Sequence, residues 1–237
     1  MALPNASAND LSASRIASTG ACMMMALFTS AASRADFLGL QVEDMTVNSL
    51  GLSEYAIYAL FDSPDDVLVG VTHADIVSTT GFFHNTINGT GASALPFTAA
   101  QTAISDHPDA DSFVTIDYLT GDSNSTFVFP TFDVDAFING SNIGVEAAWG
   151  LAAPPPLGGQ GTAGPDGRVL LAVFTPLNQP GGKPGIVSGT LTVAWDDPDL
   201  FPTQFSNASF VTPAPGAVGL LALAGVAGRS RRRRRSR

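Results

Sequence analysis

Three short acidic segments are the parts of this sequence best suited to chemistry. They are DSPDD at 62–66, DHPDADS at 106–112 and WDDPD at 195–199, and each surrounds a proline with aspartates. Calcium takes about six to eight oxygen ligands from carboxylates and loop carbonyls, and acidic turns supply both. None of the three segments has the spacing of an EF-hand loop. Because the acids of the second segment alternate, we expect them to converge on one ion, and the predicted calcium ligands are Asp106, Asp109 and Asp111.

The same aspartates also have a purely structural explanation. Asp is favoured in turns because its side chain accepts hydrogen bonds from nearby backbone N–H groups. Both explanations stay open on the sequence alone. Apart from this calcium ion, the sequence predicts no cofactor.

The histidines are the other candidates for chemistry, and there are three of them, His73, His84 and His107. His73, Asp75 and His84 could together form a metal site with two imidazoles and one carboxylate. The chain has neither an H-E-x-x-H motif nor a G-x-S-x-G motif, which mark zinc and serine hydrolases. We therefore predict a protein without enzymatic activity. A secreted hydrolase is an alternative, and it requires His73 or His84 to meet acidic groups in a pocket.

Charge is distributed unevenly along the chain. Residues 36–212 contain 20 acidic side chains and two basic ones, Arg168 and Lys183, which gives a formal charge of −18. Such a surface repels nucleic acid and anionic lipid, so we expect no nucleic-acid partner. It suits solubility, divalent cations or a basic partner. The one cysteine, Cys22, lies before this segment, so the domain must rest on its hydrophobic core without a disulfide.

The elements that must position these acids read as short β-strands. Runs rich in Val, Ile, Phe, Tyr and Thr alternate with turn-forming residues, a pattern that favours a mainly β protein with one β-sandwich or jelly-roll domain. The apolar run 168–174 predicts a central strand, and we expect Trp149 and Trp195 to pack in the core rather than bind sugars. The predicted strands are YAIYALF (55–61), VLVGVTH (67–73), SFVTIDYL (112–119), STFVF (125–129), RVLLAVF (168–174) and VSGTLTVAW (187–195).

The N-terminal 35 residues have the form of a secretory signal. Arg15 provides a positive start, an apolar stretch follows over 16–32, and Ser33 and Ala35 place small residues before Asp36. This arrangement predicts a signal peptide at 1–35 that is removed on export, and an exported domain at 36–212.

The C-terminal end at 213–237 combines two prolines, a short apolar run and an arginine cluster. The prolines end any structure that leaves the preceding domain. The apolar run is shorter than the ~20 residues that span a bilayer, and arginines beside such a run stay on the cytoplasmic side. We therefore expect a short hydrophobic helix that holds the exported domain at the inner membrane transiently, with a permanent anchor as the alternative. The predicted membrane segment contains Gly216, Leu220, Leu221, Leu223 and Val226, and the predicted basic stop contains Arg229, Arg231, Arg232, Arg233, Arg234 and Arg235.

This order of parts resembles a PEP-CTERM sorting domain, a bacterial C-terminal signal that a membrane protease called exosortase processes. Pro213, Ala214 and Pro215 take the place of its Pro-Glu-Pro motif, with Ala in place of Glu. The resemblance implies that export machinery and an exosortase-like protease act on the chain. It also implies a final location at the bacterial cell envelope or outside the cell.

The segments YAIYALFDSPDDVLVGV, DSFVTIDYL, RVLLAVFT and VSGTLTVAW resemble uncharacterised exported bacterial proteins that carry the same tail. We therefore expect a structural or interaction protein of the envelope or extracellular matrix, with an envelope polysaccharide or a matrix protein as partner. A calcium-dependent carbohydrate-binding module is the alternative, and exposed aromatic side chains on one sheet face would favour it.

Overall fold

Two antiparallel sheets dominate the computed structural model, which describes residues 36–118, 121, 125–152, 160–197 and 200–213. Two short helices lie between strands. In chain order the elements are β1 (Phe37–Val47), β2 (Ser53–Phe61), β3 (Val67–Ser78), α1 (Ala99–Thr102), β4 (Phe113–Val114), β5 (Thr126–Val128), α2 (Val134–Asn139), β6 (Ala147–Leu151), β7 (Arg168–Phe174), β8 (Val187–Asp197) and β9 (Leu200–Val211).

The strands form a four-stranded sheet, β1-β2-β7-β4, and a five-stranded sheet, β5-β6-β3-β8-β9. The main core contains residues from both sheets, among them Ile57 and Phe174 from the first and Leu68, Trp149 and Val193 from the second. One apolar cluster shared by two sheets is the arrangement of a β-sandwich. The prediction of a mainly β protein is therefore confirmed, and the architecture is consistent with a sandwich.

Alternation of side chains explains which face of each strand is buried. In β2, Tyr55, Ile57, Ala59 and Phe61 are buried, while Glu54, Tyr58 and Leu60 at the alternate positions stay half-buried. This is the period of two that a strand with one core-facing side requires.

The predicted central strand is confirmed, because β7 lies between β2 and β4. Both tryptophans pack in the core, as predicted. Trp149 is fully buried and donates its Nε1–H to Thr115 O at 3.1 Å, and Trp195 is 4% exposed.

The strand predicted at 112–119 is wrong for most of its length. Only Phe113 and Val114 pair with β7. Asp117 has a φ of 73°, which ends the extended conformation although its N–H still donates to Leu170 O. The alternating pattern predicted the burial of Val114 and Ile116 but did not reveal this backbone turn.

The two sheets differ in what lies on their outer faces. A small apolar cluster, Ala56, Phe113, Leu170 and Val173, lies outside the four-stranded sheet. The connection from β3 to β4, residues 79–112, approaches the same face, where Phe97 and Pro108 line a cleft together with Glu54. On the five-stranded sheet, by contrast, Phe205 and Val211 of β9 are 65% and 64% exposed.

The predicted signal peptide at 1–35 and the predicted sorting segment from Ala214 onward lie outside the described residues, so both stay predictions. Thr212, next to the last strand, is buried, and its N–H and Oγ1 bond to the backbone of Val187. Within the described part of the chain, neither helix has the length and hydropathy to cross a membrane.

Candidate functional site

The three predicted calcium ligands bond to three different parts of the chain. Asp106 Oδ2 accepts hydrogen bonds from Thr86 Oγ1 at 2.5 Å and Gly89 N at 2.9 Å. The Asp109 carboxylate accepts from the backbone N and the Oγ of Ser49, at 2.6 and 2.8 Å. These hydrogen bonds fasten the segment to neighbouring loops and hold the pKa of both exposed carboxyl groups below its usual value.

Asp111 is the innermost of the three. Its Oδ1 accepts from the backbone N–H groups of Asn85 and Ser112, at 2.9 and 2.8 Å. Within the ranges that the structure describes, no three His, Cys, Asp or Glu side chains are grouped so that they could hold a metal ion. The calcium site at Asp106, Asp109 and Asp111 stays a prediction, and the observed bonds correspond to the structural role of aspartate in turns.

A cleft of about 270 Å³ brings Asp111 and Asp109 together with Glu54 of β2. Met45, Phe97 and Phe113 form its apolar wall. Thr175 links the two acids across the cleft floor, because its Oγ1 lies 2.7 Å from Asp111 O and 3.3 Å from Glu54 Oε2. The hydroxyl has one proton, and either of these two oxygens can accept it.

Both inner acids of this cleft titrate near neutral pH. Burial raises the pKa of Glu54 to about 7, against the hydrogen bond from Thr175, and the negative charge of Asp109 raises it further. Burial also raises the pKa of Asp111 to about 7, although the N–H groups of Asn85 and Ser112 favour its ionised form. Desolvation therefore outweighs local hydrogen bonding at both carboxyl groups.

His84 lies beneath Asp111. Its side chain is 3% exposed, and its Nδ1 lies 3.9 Å from Asp111 Oδ1, beyond hydrogen-bond distance. The Nε2–H donates to Phe137 O at 3.0 Å, and the Phe137 ring packs edge-on at 4.5 Å. Burial lowers the pKa of His84, so the ring is neutral at pH 7.

The other histidines lie elsewhere. His73 is exposed at a bulge in β3, with a φ of 48°, on the outer face of the five-stranded sheet. His107 packs edge-on against Phe83 at 5.6 Å. The suggested metal site of His73, Asp75 and His84 is therefore not formed. Of His73 and His84, it is His84 that lies near an acid beside the cleft.

The cleft can exchange a proton with a bound group through Glu54, which is half-buried and reachable. Asp111 is 13% exposed, and its Oδ1 already serves two backbone donors. The chemistry that this geometry carries is proton exchange by one carboxyl group, with Asp111 and His84 packed behind it. The same contacts fasten residues 79–112 to the four-stranded sheet.

The sequence did not predict a second surface, the outer face of β8 and β9 in the five-stranded sheet. On the five-stranded sheet the outward cross-strand pairs of β8 and β9 are Ser188–Val211, Thr190–Ser209, Thr192–Asn207 and Ala194–Phe205. A shallow groove of about 440 Å³ lies over the two middle pairs, Thr190–Ser209 and Thr192–Asn207, beside His73. Thr192 Oγ1 donates to Asn207 Oδ1 at 2.6 Å. Because Phe205, Asn207, Ser209 and Val211 mix apolar and polar groups on one face, the sequence carried no clear signal of this surface.

The two remaining acidic segments come together at one end of the molecule. Val67, which follows the DSPDD turn, pairs with Asp196 of the WDDPD segment. The sequence presents the two segments as separate candidates, because only the pairing of β3 with β8 brings them together.

No family model, curated protein or solved structure matches this chain. The resemblance of the tail to PEP-CTERM domains therefore stays a prediction.

Proposed function

We propose that this protein is exported to the bacterial cell envelope or extracellular matrix, where residues 36–212 act as a structural or interaction domain without catalysis. Three properties support the proposal. The predicted signals flank the domain, the formal charge of −18 suits an exposed soluble surface, and the core needs no cysteine.

The observation that carries an interaction role is the outer face of the five-stranded sheet. Phe205 and Val211 are more than three-fifths exposed on the same face of β9. Between them lie Asn207 and Ser209, which supply donors and acceptors at the same spacing. A regular sheet face that combines apolar and hydroxyl-bearing groups is suited to a partner that offers both.

Export and sorting are tested by intact mass of the protein recovered from the envelope and the medium of its own host. We expect a species that begins at Asp36 and ends near Thr212. A control chain that lacks residues 213–237 should leave the envelope for the medium. Recovery of a species that retains Arg229 to Arg237 would contradict sorting and processing by the tail.

A second candidate function is carbohydrate binding by the same sheet face. The exposed Phe205 ring favours it, and so does the row of hydroxyl groups formed by Thr190, Thr192 and Ser209. The excess of acidic groups disfavours anionic polymers, so the substrate class is a neutral polysaccharide. Calcium dependence of this binding is a further expectation, tested by adding EDTA.

The test is affinity electrophoresis against neutral polysaccharides of the host envelope. Phe205→Ala should weaken retention about tenfold, because an aromatic contact contributes ~1 kcal/mol or slightly more. Leu38→Ala is the matched control, since Leu38 is 62% exposed on β1 of the other sheet. Equal retention of the wild type and the Phe205 variant would remove this face as the binding surface.

A further inference from the structure

Two acidic segments that lie far apart in sequence face each other at one end of the sandwich. In the β3–β8 register, Val67 pairs with Asp196 and Leu68 with Trp195. The paired register ends at Val67 and Asp196; its continuation by one position would set Asp66 opposite Asp197, whose negative charge acts on Asp66. Directly opposed residues have Cβ atoms about 5 Å apart, and like charges in that position repel.

Asp66 is enclosed from the other side as well. Its backbone oxygen accepts from Ala163 N at 2.8 Å, and Leu68 N donates to Gly161 O at 2.8 Å. Gly161 has a φ of 81°, and a Cβ there would lie 2.5 Å from Leu68 O, so only glycine allows this approach. The segment 160–163 thus closes over Asp66.

The buried carboxylate of Asp66 has no partner of opposite charge among the described residues. Asp66 is 0% exposed, and neither of its carboxylate oxygens has a partner at hydrogen-bond geometry among the described residues, although the Ser63 backbone N–H lies close enough to favour the charged form. Asp197 is 6% exposed. A buried charge normally requires a partner of opposite charge, hydrogen bonds or a metal ion.

Basic side chains do not provide that partner. All the charges that act on Asp66 within the described residues are negative, namely Asp197, Asp62 and Asp65. Arg168 pairs instead with Glu43 at 2.7 Å. Burial, and after it Asp197, raise the pKa of Asp66 to about 6, which is the response of a carboxyl group to an environment that disfavours its charge.

We propose that Asp66 and Asp197 bind one calcium ion between the β2–β3 turn and the end of β8. The donors are oxygen atoms alone, which selects a hard cation, and calcium accepts the irregular geometry of two turns more readily than magnesium. Only two ligands are side chains, so backbone carbonyls and water complete the coordination. Asp62 is not counted, because its Oδ1 accepts from Asp36 N at 2.6 Å.

Such an ion would join two turns that no disulfide holds together. The site is independent of the proposed sheet-face binding, and it is distinct from the calcium site predicted at 106–111. Extracellular calcium modules commonly bind with Kd values of about 10⁻⁴ to 10⁻³ M, which suits an exported protein.

The first experiment is thermal unfolding of the purified protein in EDTA, in CaCl2 and in MgCl2 at pH 7.5. At a free calcium concentration roughly 100 times Kd, we expect Tm to rise by about 5–10 °C. Asp66→Asn, which keeps the shape of the side chain, should lose this rise. Asp106→Asn is the matched control, and it should keep the rise in full.

A second experiment reads binding directly. Trp195 lies two residues before Asp197 on the same core-facing side of β8, so it can sensitise terbium luminescence. We expect tryptophan-excited Tb³⁺ emission that calcium displaces and that falls about tenfold in Asp66→Asn.

The possible outcomes separate the two calcium sites. No calcium shift in the wild type, or an undiminished shift in Asp66→Asn, overturns the proposal. A shift that Asp106→Asn abolishes places the ion at 106–111 instead. An equal shift with magnesium overturns the choice of calcium. If Asp66→Asn folds poorly, terbium emission from the wild type still decides whether an ion that calcium displaces binds near Trp195.

Discussion

Two carboxylate clusters lie at opposite ends of β2, and their buried aspartates differ in hydrogen bonding. At the start of β2, Glu54 lies beside Asp111, whose Oδ1 accepts two backbone N–H groups. Just beyond its end, Asp66 is buried, and neither of its carboxylate oxygens has a partner at hydrogen-bond geometry in the described residues. Burial nevertheless raises the pKa of both carboxyl groups, so desolvation dominates the cost of the charge at each, and the loop N–H groups offset only part of it at Asp111.

The largest effect should come from removing Asp111, whose carboxylate accepts two backbone hydrogen bonds. Asp111→Ala removes an acceptor that two backbone donors share, and we expect the free energy of unfolding in urea to fall by about 3 kcal/mol. Asp111→Asn keeps Oδ1 as acceptor and should cost less than about 1 kcal/mol. If the two variants are equally destabilised, the hydrogen bonds are not what holds residues 79–112 in place.

Removing the charge of Asp66 should change stability in the opposite direction. In EDTA at pH 7.5, Asp66→Asn removes a buried, unpaired charge, and we expect stability to rise by about 2 kcal/mol. Asp65→Asn is a suitable control, because Asp65 is exposed in the same turn and should change stability by less than about 0.5 kcal/mol. A loss of stability in the Asp66 variant would mean that its carboxylate has a partner in metal-free protein.

The stability of the protein should depend on pH through Glu54 and Asp111, the two acids at the start of β2. The folded-state pKa values of Glu54 and Asp111 are raised to about 7, so the folded protein binds these protons more tightly than the unfolded chain. Their contribution is complete below the ordinary pKa values near 4, and it is lost as pH rises towards 7.

We expect the free energy of unfolding to fall by about 1–2 kcal/mol over that range, since the half-buried Glu54 is partly screened by solvent. Urea unfolding at several pH values measures the slope. Glu54→Gln combined with Asp111→Asn should flatten it, whereas an unchanged slope would assign the dependence to other groups.

The smallest effect concerns Asp62, an exposed residue of the DSPDD turn. Asp36 N donates to Asp62 Oδ1 at 2.6 Å, so cleavage before Asp36 would turn this N–H into an ammonium group beside a carboxylate. A chain with a free amine at Asp36 should be more stable than its acetylated form by about 0.5 kcal/mol at low salt. Asp62→Asn should remove the difference, and a difference that survives in this variant would have another cause.

Strand content was the most predictable part of the fold. Alternation in 55–61 and 187–195 predicted β2 and β8, and the continuous apolar run at 168–174 predicted the internal position of β7. Each pattern depends only on neighbours along the chain, because successive side chains of a strand point to opposite faces.

Several elements gave no clear local signal. β9 presents Phe, Asn, Ser and Val outward at an edge, where the usual contrast of apolar and polar faces is weak. The helices α1 and α2 have four and six residues, too few for a helical period to appear. Their starts depend instead on the caps Thr98 and Asp133, which resemble ordinary turn residues in sequence.

The sequence by itself determined the class of the protein, the charge of −18 on residues 36–212, the dependence on a core without disulfides, and the three acidic segments. Only the tertiary structure decided which acids meet. Asp111 meets Glu54 through the packing of the β3–β4 connection, and the pairing of Val67 with Asp196 brings Asp66 close enough to Asp197 for their charges to interact. Register sets contacts between distant residues and a shift of one position changes every partner, so no local pattern can specify it.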